Sequence, residues 1–285
     1  MKSLLHTPLF LTKIFTYLVY LFAIVGFVLT AGYFAVKFGL TNESGLIDIQ
    51  RESFLYGKSS SYTNYTSSTT DDVNWRTLDE WHTIKLALNA DKNSLIRAAA
   101  VSGISSRLIA SQVIVEQLRF LTSDRELFKK IFQPLKLLGN QTQFSWGVAG
   151  IKQETAIEVE NHLKDTTSPY YLGTQYEHLL DFQTEDVGKE RFERITNEKD
   201  RYYSYLYVGL YLKQIMTQWK NAGYDVSTRA DVLSTLYNIG FKYSKPNANP
   251  KSGGASIPVG DTEYSFGSLA NSFYNSNELL DVFPR

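Results

Sequence analysis

Glu116 is a carboxylate set into an apolar run, Leu108-Ile109-Ala110-Ser111-Gln112-Val113-Ile114-Val115-Glu116-Gln117-Leu118. At 3.6 residues per turn it shares a helix face with Ile109, Val113 and Phe120. A carboxyl on a buried face loses water, which disfavours the charged form, and a carboxyl that keeps its proton near neutral pH can act as a general acid. The bland reading is an ion pair. Arg119 lies three positions on and Arg107 nine back, and either guanidinium would turn Glu116 into a structural partner of ordinary kind.

Two stretches downstream add groups of the kind that hold a ligand. The first is Ser145-Trp146-Gly147-Val148-Ala149-Gly150-Ile151-Lys152-Gln153-Glu154-Thr155-Ala156. Gly147 and Gly150 let the backbone come close to another group, and a helical pattern begins just after them. The second is Leu236-Tyr237-Asn238-Ile239-Gly240, at the end of a helix whose start is expected at Ser227-Thr228, with Asp231 three residues after Thr228. Gly240 reads as the residue just past that helix, leaving a phenol and an amide at its last turn. Each stretch alone is equally well explained as a Gly-rich turn or an ordinary helix end.

Taken in order, the three stretches resemble the lysozyme-like soluble lytic transglycosylase family, which includes goose-type lysozymes. The shared features are Glu116 near the end of an apolar helix, Ser145-x-Gly147-x-x-Gly150-Ile151 with Thr155-Ala156, and Tyr237-Asn238-x-Gly240. Residues 207–212, Tyr-Val-Gly-Leu-Tyr-Leu, are similar to the long helix that the family places before its Tyr-Asn motif. The resemblance covers about residues 94–240, and more loosely 264–282. The family pattern has Ser where this chain has Gln117, Gln where it has Gly150, and Ala where it has Leu236.

The resemblance implies cleavage of the bond between N-acetylmuramic acid and N-acetylglucosamine in peptidoglycan. Glu116 would be the single acid and base, giving a 1,6-anhydro product. Ser145 and Tyr237 would orient its carboxyl group, while the backbone of Gly147, Gly150 and Ile151, together with Asn238, would line the sugar subsites. Two alternatives stay open. A hydrolytic muramidase needs a second carboxylate, for which Glu154, Asp124 and Glu126 are candidates. A non-catalytic peptidoglycan-binding or envelope scaffold protein would keep the fold without the chemistry.

The elements that must position these residues are mainly helical. Apolar spacing of three and four recurs in 78–88, 93–101, 127–138, 155–163, 202–219 and 228–237, and period-two strand patterns are scarce. The expected fold is a mainly α, lysozyme-like helical domain over 73–285. Residues 245–254 read as a loop by their Pro, Gly and Asn content. The dense run Tyr202, Tyr203, Tyr205, Tyr207 and Tyr211 is expected to pack in the core for the most part.

Ahead of that domain, 14–36 carries no charge and exceeds the roughly 20 residues a helix needs to cross a bilayer. It reads as a single uncleaved transmembrane anchor, with 1–13 in the cytoplasm because Lys2 and Lys13 precede it. Residues 37–72 form a Ser/Thr-rich linker, and the C-terminal domain is expected outside the membrane, facing the cell wall. A cleaved signal peptide is the alternative, and it exports the same region.

Composition excludes other classes. The 29 basic and 29 acidic side chains cancel, which argues against a nucleic-acid partner. With no cysteine there is neither a disulfide nor a thiolate metal site. His6, His82, His162 and His178 lack zinc-site spacing, and no phosphate-cradling Gly-rich loop occurs, so neither a metal nor a cofactor is expected.

Overall fold

The computed structural model describes residues 7–37, 75–122, 145–260 and 262–285. The chain divides into two units, and the first of them contains helix α1, Thr7–Lys37. Its described apolar side chains, among them Phe15, Tyr20, Phe22 and Phe27, are exposed. Among the described residues no helix is long and apolar enough to cross a membrane.

The second unit holds seven further helices among its described residues. These are α2 (Asp79–Ser102), α3 (Ser106–Thr122), α4 (Gln153–Lys164), α5 (Val187–Ile195), α6 (Tyr202–Asn221), α7 (Ala230–Ile239) and α8 (Phe266–Asn275). Two small antiparallel hairpins accompany them. Strands β1 (Ser145–Trp146) and β2 (Ile151–Lys152) pair Trp146 with Ile151, and β3 (Ser256–Val259) and β4 (Thr262–Ser265) pair Ile257 with Tyr264. The unit is mainly α, as the apolar periodicity implies.

Helix α6 lies at the centre. Ser204 to Leu212, Gln214, Ile215 and Trp219 are all buried, and α2, α3, α4, α5 and α7 pack around it. Its tyrosines belong to the core. Tyr205, Tyr207 and Tyr211 are buried, while Tyr202 and Tyr203 lie at its edge. Buried hydroxyls need partners, and the Tyr205 hydroxyl donates to Asp91 Oδ2 at 2.5 Å and that of Tyr207 to Glu160 Oε1 at 2.6 Å.

Several boundaries differ from the sequence reading. The stripes at 78–88 and 93–101 are one helix, because the intervening Ala90-Asp91-Lys92 continues α2 instead of capping a new one. Asp79 and Glu80 open it, where the helix dipole favours negative charge, and Gly103 closes it by donating its N–H to the Ala99 carbonyl at 2.9 Å. Helix α7 starts at Ala230, two residues past Thr228. Asp231 pairs with Arg229 at 2.8 Å, so no capping box forms there. The capping box that does form opens α8, between Ser265 and Ser268. The stripe at 127–138 and most of the linker lie outside the described residues.

Candidate active site

Helix α3 carries Glu116 with its side chain 4% exposed, against a wall that includes buried Ile109 and Val113. The carboxyl is accompanied. Arg119, one turn on, donates to Glu116 Oε2 from Nη2 at 2.7 Å and from Nε at 3.2 Å, and no hydrogen bond to Oε1 is found among the described residues. The Glu116 charge raises the Arg119 pKa. Of the two arginines named from sequence, Arg119 is therefore the partner.

Arg107 serves another purpose. Fully buried, it donates to the carbonyls of Phe273, Tyr274, Ser276, Glu278 and Phe283 at 2.7 to 3.1 Å, which gathers the C-terminal segment onto the start of α3. Its guanidinium also lies 4.5 Å from the ring of Phe273. Burial, followed by the charge of Arg285, lowers its pKa.

The turn of the β1–β2 hairpin, residues 147–150, stands against Glu116. Gly147 and Gly150 both have φ +65°, where a side chain is strained, and both are closely approached. A Cβ at Gly147 would stand 2.7 Å from the Ile195 carbonyl oxygen and from Ser204 Oγ. At Gly150 it would stand 3.0 Å from Cδ and Oε2 of Glu116. The absence of a side chain at 150 thus lets the hairpin backbone lie on the carboxyl group. Ile151 is buried beneath it, facing Trp146 across the hairpin.

Two side chains hold the carbonyls of this turn. From α3, Gln117 donates its amide to the Val148 carbonyl at 2.5 Å. From α7, Tyr237 donates its hydroxyl to the Ala149 carbonyl at 2.7 Å. The Tyr237 pKa is pushed well above the usual phenol value by burial first and by the Glu116 charge next, so the phenol remains a donor. It acts on the turn, and its hydrogen bond does not go to the Glu116 carboxyl group. Helix α7 is tied to α3 separately, because Gln112 donates to Ser234 Oγ at 2.8 Å.

The remaining sequence candidates fall in several places. Asn238 accepts a hydrogen bond from the Ala255 N–H at 2.8 Å, which pins the loop entering β3. The backbone of Ser145 pairs with Lys152, and its side chain lies outside the described residues. Glu154 is exposed in the first turn of α4, where the helix dipole favours its charge. Asp124 and Glu126 lie outside the described residues. No group of three His, Asp or Glu side chains suited to a metal ion occurs among the described residues.

Three stretches separated by dozens of residues thus meet at one place: the end of α3, the hairpin turn and the last turn of α7. Gln117, Gly150 and Leu236 are the departures from the pattern in the sequence; of these, Gln117 is one of the two latches on the turn and Gly150 lies on the carboxyl group, roles that the sequence does not show. An amide beside a carboxylate, with orphan carbonyls nearby, is a signal visible only once the hairpin is placed. No protein-family model, curated protein or solved structure matches the chain.

Proposed function

We propose that the chain is a membrane-anchored peptidoglycan lytic transglycosylase with Glu116 as its acid and base. The observation that carries this reading is the convergence of Glu116, the Gly147–Gly150 turn and Tyr237 around one buried carboxyl group. These are the three stretches through which the sequence resembles the lysozyme-like soluble lytic transglycosylases. In this reading Glu116 protonates the oxygen bridging N-acetylmuramic acid to N-acetylglucosamine. As a carboxylate it then removes the proton from the muramic C6 hydroxyl, whose oxygen closes on the anomeric carbon. The bond to the leaving sugar breaks, a 1,6-anhydro ring forms and no water is consumed. Gln117 and Tyr237 keep the turn pressed against the carboxyl group.

Helix α1 would serve as the anchor in this reading. Residues 14–36 carry no charge, Lys13 precedes them, and side chains such as Phe15, Tyr17, Phe22 and Phe27 are exposed. A tether of this kind holds the helical domain against the wall outside the membrane.

The Arg119 pair favours a second reading, a non-catalytic glycan-binding or scaffold protein, because a guanidinium already holds one oxygen of the Glu116 carboxyl group. Mass spectrometry of soluble products decides between them, using the full chain in detergent on purified peptidoglycan beside Glu116→Gln. Anhydro-muropeptides from the wild type alone support the lytic reading. Wall binding by both proteins with no product from either supports the scaffold.

A further inference from the structure

Two glutamate–arginine pairs in this domain differ in form. Glu160 and Arg191 make a closed fork: Nε donates to Oε1 and Nη2 to Oε2, both at 2.6 Å, with side chains 10% and 8% exposed. The Tyr207 hydroxyl donates to the same Oε1. Each carboxylate oxygen meets its own donor, the strongest arrangement open to these groups.

The Glu116–Arg119 pair is open. Both donors fall on the single oxygen Oε2, at 2.7 and 3.2 Å. The Arg119 side chain is 27% exposed while that of Glu116 is 4% exposed. Solvent therefore reaches the guanidinium before the carboxyl group. A carboxylate arriving from outside is free to take the two-oxygen geometry that Glu116 lacks.

We infer that Arg119 is a specificity-determining residue that exchanges Glu116 for a carboxylate on the glycan. This rests on the peptidoglycan reading above. The carboxylate assigned is the lactyl group on the muramic acid whose anomeric bond breaks. It is free only where the stem peptide has been removed, since in a stem-bearing strand it is an amide. The substrate is then the product of an amide-cleaving reaction on the wall. Exchange turns Arg119 outward and frees Glu116 Oε2 from both of its donors.

Calorimetric binding of the full chain in detergent tests this on three glycan preparations: stripped of stems, stripped with carboxyls reduced to alcohols, and stem-bearing. The wild type should bind stripped strands at least about tenfold more tightly than reduced ones, the scale of a charge-assisted hydrogen-bonded pair. Arg119→Gln should lose that preference. Glu116→Gln, in which the guanidinium has no competing carboxylate, should bind stripped strands more tightly than wild type. The uncharged double variant Glu116→Gln/Arg119→Gln repeats the Arg119 test without an unpaired buried carboxyl group.

Equal wild-type affinity for stripped and reduced strands, or a preference that survives Arg119→Gln, overturns the assignment. Equally tight binding of stem-bearing strands, lost in Arg119→Gln, overturns the lactyl assignment in favour of a stem carboxylate. Product analysis in parallel separates the two readings. Discrimination in binding without product keeps the role of Arg119 and removes the lytic reading, and product without discrimination does the reverse.

Discussion

The hydroxyl of Tyr237 donates to the carbonyl of Ala149 at 2.7 Å, and the next residue of that turn, Gly150, lies directly on the carboxyl group of Glu116. The last turn of α7 therefore sets the position of the acid candidate through one intervening peptide. Removing the hydroxyl in Tyr237→Phe leaves a buried carbonyl without its donor, at a cost of about 1–3 kcal/mol. Urea unfolding should register that loss. Glycan cleavage should fall as well, since the turn is no longer held. Unchanged unfolding would mean that water replaces the phenol.

Gly150→Ala combines two effects. The left-handed backbone at φ +65° costs a side chain about 1–2 kcal/mol, and the new methyl presses on Cδ and Oε2 of Glu116. Gly223→Ala separates them, because Gly223 has φ +87° with nothing within 4 Å of its Cβ position. Both variants should lose stability in thermal unfolding. Only Gly150→Ala should disturb the site, read as lost cleavage or weakened binding of glycan.

Breaking the closed pair should be costly. Arg191→Met strands the buried Glu160 carboxylate, and loss of one partner of a buried pair costs about 3–5 kcal/mol. The double variant Glu160→Met/Arg191→Met should recover part of this, because it removes both desolvated charges together but leaves the buried Tyr207 hydroxyl without its acceptor. Chemical denaturation of the two variants beside wild type measures the difference, and a double variant no better than the single one contradicts it.

His162 supplies a pH dependence. Burial, opposed by the charge of Asp165, lowers its pKa below the usual histidine value, and its ring packs against those of Tyr170 and Phe241 with Nδ1 2.9 Å from Ser168 Oγ. The unfolded chain then takes up a proton near pH 6.5 that the folded chain refuses. The stability contribution is complete above that pH and is lost as pH falls from there to the folded value, below which it levels off. In His162→Gln this part of the unfolding curve should flatten, leaving the slope due to the carboxylates.

The apolar periodicity of the chain determined that the domain is helical and that the tyrosines of 202–211 are mostly core. Each follows from burial of one face of a local element, which neighbouring residues encode. Residue types alone also named the buried carboxylate, the Gly-rich turn and the phenol. Two boundaries departed from that reading: residues 79–102 form one continuous helix, along which α6 packs, and α7 begins after the expected capping box, with Asp231 paired to Arg229 two residues before it.

Only the tertiary structure decided which groups meet. That Arg107 is taken up by the carbonyls of the C-terminal segment, that Tyr237 reaches a carbonyl and not the carboxyl group, and that Gln117 latches the turn depend on where that segment, α7 and the hairpin come to rest. Helical spacing gives the direction of a side chain from its own axis. Its partner is set by the packing of elements far apart in the chain, where each buried donor must find an acceptor or leave the fold destabilised.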